Sequence, residues 1–144
     1  GLGEKIRMIP RQNTQQEVHN IMSQVDCGVF PSRAEGWNLE LLEMLACGKH
    51  VIATNYSGHT EFCNKENARL IEISELEDAK DGVWFHGQGQ WAHIGDKEID
   101  QLVEHMREIH KLKQEDELNI NQTGIDTSKE LSWDNTIAKI LEAL

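Results

Sequence analysis

Residues 30–48 read FPSRAEGWNLELLEMLACG, and the architecture of the chain can be worked out from them. Pro31 ends the short apolar run before it, because proline cannot donate to the ladder of a central strand. A small polar loop and then an apolar helix from about Leu39 to Cys47 follow. Gly48 stands where a left-handed helix cap is usual. Strand, loop and helix in this order predict a unit of an α/β fold.

The predicted helix is apolar around most of its circumference, so we expect it to be buried. Glu40 and Glu43 are three residues apart and share its one polar face. An unpaired carboxylate in a buried helix is costly, so such an acid needs a partner.

The loop before this helix carries a second signal. Backbone N–H groups from Gly36 to Leu39 lie at a helix N-terminus, which binds anions and phosphate above all. Glu35 precedes these amides and Glu43 follows them, and a carboxylate can accept hydrogen bonds from two neighbouring hydroxyls of a ribose or a hexose. Phosphate and vicinal diols together indicate a nucleotide sugar. The alternative is an ordinary helix start with a loop acid and a helix acid, each paired to lysine or arginine.

The same stretch resembles the donor site of the group 1 (family 4) glycosyltransferases, which are retaining enzymes with two Rossmann-like lobes, the GT-B fold. The features that carry the resemblance are Pro31-Ser32, Glu35-Gly36-Trp37-Asn38-Leu39, Glu43 after seven intervening residues, Gly48, the strand Val51-Ile52-Ala53 and the turn Gly58-His59-Thr60-Glu61.

The resemblance implies roles for single residues. Glu35 would lie beside the transferred sugar, Glu43 would hold the ribose hydroxyls, and amides from Gly36 to Leu39 would contact the sugar and the diphosphate. The chain departs from the family at Trp37, where phenylalanine is usual, and at Asn38, where glycine is usual. Asparagine tolerates a left-handed backbone, but the Asn38 side chain is expected to enter the sugar pocket.

Three further residues are weaker candidates for the donor site. Arg33 is a candidate phosphate contact, although a solvated loop arginine is the preferred interpretation. Pro10 and Arg11 fall where the backbone of the family often cups the nucleotide base, so they are candidates by analogy alone.

The remaining chain alternates predicted strands and helices, which favours a Rossmann-like parallel sheet with ligands at the carboxyl ends of its strands. Residues 74–95 lack a clear period, and their aromatic side chains Trp84, Phe85 and Trp91 are interpreted as packing, with stacking on a sugar as the alternative. The predicted elements are a strand Ile6–Ile9, a helix after the capping box Thr14–Glu17, strands Asp26–Phe30, Val51–Thr54 and Ala68–Ile73, a short helix His59–Cys63, a strand Val83–Phe85, a helix from Asp96, a loop or frayed helix over 115–129, and a last helix capped by Ser132.

Composition narrows the function classes. The chain has 144 residues, 38% of them hydrophobic, which is enough for one domain with a core. A net charge of −11 argues against binding nucleic acid. No apolar run reaches the roughly 18 residues of a membrane span.

Three widely spaced cysteines indicate reduced thiols, so a cytoplasmic location is expected. The seven histidines form no recognisable ligand set, and neither a metal nor a cofactor is expected.

The resemblance covers residues 5–144, which correspond to the later part of the second lobe of the family. We therefore expect a partial donor-binding domain whose acceptor lobe, first strand and basic diphosphate-binding residues lie elsewhere. The open sheet edge that results would favour self-association. Two other functions stay open, namely a non-catalytic interaction module and a nucleotide-sugar epimerase of the same fold.

Overall fold

Residues 3–144 are described by a computed structural model of the chain. Within these residues, two short 3-10 helices, Gly3–Lys5 and Gly58–Glu61, accompany five strands and five α-helices. The strands are β1 (Cys27–Phe30), β2 (His50–Thr54), β3 (Arg69–Ile71), β4 (Leu76–Lys80) and β5 (His86–Ala92). The helices are α1 (Gln15–Gln24), α2 (Leu39–Ala46), α3 (Asp96–Gln114), α4 (Gln122–Glu130) and α5 (Trp133–Glu142).

The core is a parallel sheet with the strand order β1-β2-β3, so β2 is its central strand. Val51 and Ala53 of β2 join the cluster formed with Leu41 and Leu45 of α2. Ile52 alternates to the opposite face, where it lines the same cleft as Ile109 of α3. Helices thus cover both faces of β2, as a buried parallel sheet requires. The predicted α/β fold with a Rossmann-like parallel sheet is confirmed.

Local sequence signals account for the first helices. Thr14 accepts a hydrogen bond from the amide of Glu17, and the Glu17 carboxylate accepts one from the amide of Thr14, so the predicted capping box starts α1. Gly48 has a φ of 70° just beyond α2, in the left-handed conformation predicted for it. Helix α2 is buried at Leu41, Met44 and Leu45, as expected, whereas Leu39 at its first turn is 61% exposed.

Two predicted strands are absent from residues 3–144. Residues 6–13 are irregular, and Met8 is 87% exposed, because no neighbouring strand gives the alternating segment Ile6–Ile9 a surface to pack on. Val83–Phe85 is the turn between β4 and β5, which pair as an antiparallel hairpin. The three amides of this turn donate to Asp81 Oδ1 at 2.8, 2.8 and 3.0 Å. They are therefore bonded to a side chain and not to the backbone of a neighbouring strand.

The polar segment expected to be loop or frayed helix contains α4. Asn121 caps it by accepting from the amide of Gly124 at 3.0 Å. Helix α4 packs against α2 so closely that a Cβ on Gly124 would lie 2.7 Å from Leu45 Cδ2. Tertiary packing therefore makes this stretch helical despite its weak apolar pattern.

The predicted last helix is confirmed as α5, with Ser132 as its N-cap. Among the described residues no helix is long and apolar enough to cross a membrane.

Candidate functional site

The candidate site lies where β1 and β2 end at the same edge of the sheet. The loop 31–38 follows β1, and the turn at Ser57 and Gly58 follows β2. Thr54, the last residue of β2, donates from its hydroxyl to the carbonyl of Ser32 at 2.7 Å. This bond joins the start of the loop to the end of the neighbouring strand. Parallel α/β sheets bind their ligands at this edge, where the carboxyl ends of the strands lie.

Glu35 is held by the next turn through both its backbone groups. Its amide donates to the Ser57 hydroxyl at 2.7 Å, and its carbonyl accepts from the amide of Gly58 at 3.1 Å. Its carboxylate accepts a hydrogen bond from the Ser32 hydroxyl at 2.7 Å. The side chain is half-buried and forms no ion pair with any residue from 3 to 144. A carboxylate fixed in this way keeps lone pairs for a ligand.

The residues after Glu35 pack against the β2 turn. A Cβ on Gly58 would lie 2.0 Å from the carbonyl oxygen of Gly36, so only glycine fits at this contact. Trp37 is 37% exposed and tilts against Phe62, with ring centroids 5.1 Å apart. Phe62 follows the short 3-10 helix after the turn. The larger ring at position 37, where the family usually has phenylalanine, is therefore partly supported by an aromatic contact.

Asn38 keeps the left-handed backbone predicted for it, with a φ of 65°. The side chain is 5% exposed, and its Oδ1 accepts from the amide of Leu41 at 3.2 Å as the N-cap of α2. The side chain thus caps its own helix, as a short amide in this conformation can. Its expected contact with the sugar stays a prediction. Asn38 Nδ2 is buried and has no hydrogen-bond partner among the described residues.

The amides at the start of α2 are available for an anion. Within residues 3–144 the N–H groups from Gly36 to Glu40 have no protein acceptor, whereas that of Leu41 is taken by the cap. Leu39 and Glu40 are exposed. These amides and the helix dipole could receive an anion, and the predicted contact with a diphosphate stays a prediction.

Glu43 lies one turn further along α2 and lines a cleft of about 240 Å³ against α1. It is half-buried and, within the described part of the chain, has no ion-pair partner. Glu43 therefore lacks, among the described residues, the lysine or arginine that the alternative interpretation requires. The other residues that line the cleft are Gln15, Val18, His19, Met22, Ala46 and Cys47.

Arg33 is engaged by the hairpin that β4 and β5 form. Its guanidinium forms an ion pair with Glu77, donates to the carbonyl of Ala92 at 3.3 Å and lies 4.1 Å from the ring centroid of Trp91. The carbonyl of Arg33 accepts from the amide of Ala92 at 2.7 Å. Arg33 thus joins the loop to the hairpin. Its partner Ala92 is 59 residues away in the sequence, so no local sequence pattern predicts the contact.

Three residues remain to be placed: the candidates Pro10 and Arg11, and His59, which the sequence did not single out as part of the site. Pro10 and Arg11 lie in the exposed irregular segment before α1, and among residues 3–144 no hydrogen bond or ion pair joins either of them to the loop 31–38. Their contact with the nucleotide base stays a prediction. His59 is completely buried, and its Nε2–H donates to the carbonyl of Thr54 at 2.6 Å. This bond fixes the β2 turn that holds Glu35, so His59 supports the site structurally, as the interpretation of the histidines expects.

A comparison with protein families identifies the chain. The family described as glycosyl transferases group 1 matches residues 1–125. Because this match covers most of the sequence, the chain belongs to the group 1 glycosyl transferases, and the resemblance is confirmed at the level of the family. No curated protein matches the chain.

Proposed function

We propose that residues 5–144 form the donor-binding part of a retaining GT-B glycosyltransferase, which moves a hexose from a nucleoside diphosphate to an acceptor. One observation carries the proposal. Glu35 and Glu43 flank a helix N-terminus with unsatisfied amides, and neither is paired to a lysine or arginine among the described residues. In a group 1 glycosyl transferase this arrangement offers groups for a sugar, a diphosphate and a ribose.

In this proposal the diphosphate accepts hydrogen bonds from the amides of Gly36 to Leu39. Their N–H groups and the α2 dipole meet the charge that develops on the leaving phosphate as the glycosidic bond breaks. The exposed first turn leaves the amides accessible. The net charge of −11 gives the chain little further attraction for a diphosphate. We therefore place the neutralising basic residues, like the acceptor lobe, outside residues 5–144.

Glu43 binds the ribose hydroxyls, and the cleft between α1 and α2 receives the nucleoside. A bidentate contact from one carboxylate to two hydroxyls suits a ribose. The cleft volume of about 240 Å³ holds part of a nucleoside and leaves the rest open to solvent.

Glu35 lies beside the transferred sugar and near its reacting carbon. The bonds from Ser57 and Gly58 fix its backbone, and the Ser32 hydroxyl fixes its carboxylate. Restraint of its backbone and carboxylate holds a reacting group in the geometry that the reaction needs. We expect residues 5–144 alone to turn over slowly, because transfer needs an acceptor lobe to close over the donor.

Calorimetric titration with UDP, GDP, ADP and their hexose conjugates tests the proposal. The chain should bind one nucleotide family saturably, and Glu43→Gln should weaken that binding by about 10- to 150-fold, since hydrogen bonds to a charged group contribute about 1.5–3 kcal/mol. Glu104→Gln changes an exposed acid on α3 and should leave affinity unchanged. A folded chain that dimerises tightly and binds no nucleotide would instead favour an interaction module.

A further inference from the structure

The edge of β5 that faces away from β4 is bonded to both loops of the candidate site. The amide of Ala92 donates to the carbonyl of Arg33 at 2.7 Å, and the Ala92 carbonyl accepts from Arg33 Nε at 3.3 Å. Two residues earlier in β5, the carbonyl of Gln90 accepts from the Tyr56 hydroxyl at 3.0 Å. Alternate residues of an antiparallel strand direct their backbone groups to the same edge. One edge of β5 therefore meets the loop 31–38 and the turn after β2.

The contact of Arg33 with the hairpin combines a buried and an exposed part. Ala92 is fully buried, so its amide and its carbonyl need protein partners, and Arg33 supplies one to each. The guanidinium lies 4.1 Å from the ring centroid of Trp91 and is paired with Glu77 of β4. Because 43% of the Arg33 side chain is exposed, the ion pair alone contributes little. The aromatic ring and the buried backbone groups are what fix its position.

The two residues that contact β5 adjoin the groups that hold Glu35. Ser32, directly before Arg33, donates its hydroxyl to the Glu35 carboxylate at 2.7 Å. Ser57, directly after Tyr56, accepts from the Glu35 amide at 2.7 Å. The hairpin thus restrains both backbone segments that set the position of this carboxylate, one through Arg33 and the other through Tyr56.

We propose that Arg33 and Tyr56 are positioning residues, which hold the Glu35 carboxylate beside the transferred sugar by fixing both loops on β5. A reacting group that is restrained before its substrate arrives loses less entropy in reaching the productive geometry. In this assignment the Arg33 guanidinium serves the hairpin and not the diphosphate. The role beside the sugar rests on the proposed function, whereas the restraint of Glu35 can be measured without any ligand.

Amide hydrogen exchange of the full chain, followed by NMR at Glu35 and Gly58, measures this restraint. Arg33→Gln should speed exchange at both amides about 5- to 30-fold, because it removes the charge and the contact with the Trp91 ring. Tyr56→Phe removes a single hydroxyl and should speed exchange about 2- to 10-fold.

Two further variants are controls for the exchange experiment. Lys80→Gln removes an exposed ion pair within β4 of the same hairpin, to Asp78 at 3.1 Å, and should leave exchange at Glu35 and Gly58 unchanged. Arg33→Lys keeps a cation for Glu77 but loses the Nε bond to Ala92, so it should recover only part of the protection that Arg33→Gln loses.

The binding of donors separates positioning from general stabilisation. Calorimetry compares UDP-glucose, GDP-mannose and ADP-glucose with their free diphosphates. For the pair that binds, Arg33→Gln and Tyr56→Phe should weaken the sugar nucleotide about 2- to 10-fold and the free diphosphate less, because the proposed site places Glu35 against the sugar alone. Lys80→Gln should bind both as the wild type does.

The outcomes decide the proposal. Faster exchange with a selective loss of sugar-nucleotide affinity supports it, and faster exchange without binding of any nucleotide supports the restraint and removes only the proposed donor site. Unchanged exchange in both Arg33→Gln and Tyr56→Phe overturns it. Equal losses for the sugar nucleotide and the diphosphate in Arg33→Gln also overturn it, in favour of a phosphate contact. If Arg33→Gln does not fold, exchange in Tyr56→Phe decides.

Discussion

Gly58 lies so close to Gly36 that a Cβ on residue 58 would fall 2.0 Å from the Gly36 carbonyl oxygen. The turn after β2 and the loop after β1 are therefore in backbone contact. Gly58→Ala must push the loop away from the turn and break its bond to the Glu35 carbonyl. We expect a loss of about 1–3 kcal/mol in the free energy of unfolding and weaker nucleotide binding.

Gly36→Ala is the matched control for this contact. A Cβ on Gly36 meets no atom within 4 Å, so urea denaturation should show a change within about 0.5 kcal/mol. Equal stability losses in the two variants would contradict the close approach as the reason for a glycine at position 58.

Asn38 combines a left-handed backbone, a cap and a buried amide nitrogen without a partner among the described residues. Asn38→Gly loses the cap but relieves the backbone and removes the unsatisfied nitrogen, so stability should change by less than about 1 kcal/mol. Asn38→Ala loses the same cap and the same nitrogen but strains the left-handed backbone, so it should be less stable than Asn38→Gly by about 1–2 kcal/mol. Thermal and urea unfolding of both variants measure this, and an alanine variant as stable as the glycine variant would refute it.

The ionisation of Glu98, at the start of α3, makes the free energy of unfolding depend on pH in the acid range. It is 2% exposed, and hydrogen bonds from the Ser74 hydroxyl and amide, at 2.7 and 3.1 Å, together with the Gly95 amide, lower its pKa from 4.5 to about 2. Its stabilising contribution is therefore complete above about pH 4.5 and is lost as the pH falls through about 2.

Glu98→Gln should consequently be less stable than the wild type at pH 7, with a difference that shrinks between pH 4.5 and 2. Urea unfolding at several pH values checks this. Asp100→Asn, at an exposed position of the same helix, is the control. A difference that is constant with pH would show that the Glu98 charge is not what stabilises the start of α3.

The thiols should react in the order of their burial. Burial raises the pKa of Cys27 to about 11 and that of Cys63 to about 12, so neither forms much thiolate near neutral pH. Cys47 is less buried, although burial also raises its pKa. With Ellman's reagent at pH 8 we expect Cys47 to react first and Cys63 last, and mass spectrometry of the labelled peptides assigns the order. Fast labelling of Cys63 in the folded chain would contradict its burial.

Local signals allowed the sequence to predict much of the sheet and the start of the site. The Thr14–Glu17 capping box, Pro31 after β1, the left-handed Asn38 and Gly48 each act within a few residues, so each can be recognised in the sequence. Long-range contacts could not be predicted. The bonds from Ser57 to Glu35 and from Ala92 to Arg33, and the packing of α4 on α2, depend on how distant segments meet. The same limit explains the error at Ile6–Ile9, whose strand pattern finds no strand beside it.

The central claim is that the start of α2 binds the diphosphate of a nucleotide sugar. Two-dimensional ¹H–¹⁵N NMR, with the tightest nucleoside diphosphate from calorimetry as titrant, tests it most directly. The account predicts saturable shifts at the amides of Gly36 to Glu40 and at the residues of the cleft beside Glu43. Binding that shifts other amides and leaves Gly36 to Glu40 unchanged, or the absence of binding by a folded sample, would contradict the claim.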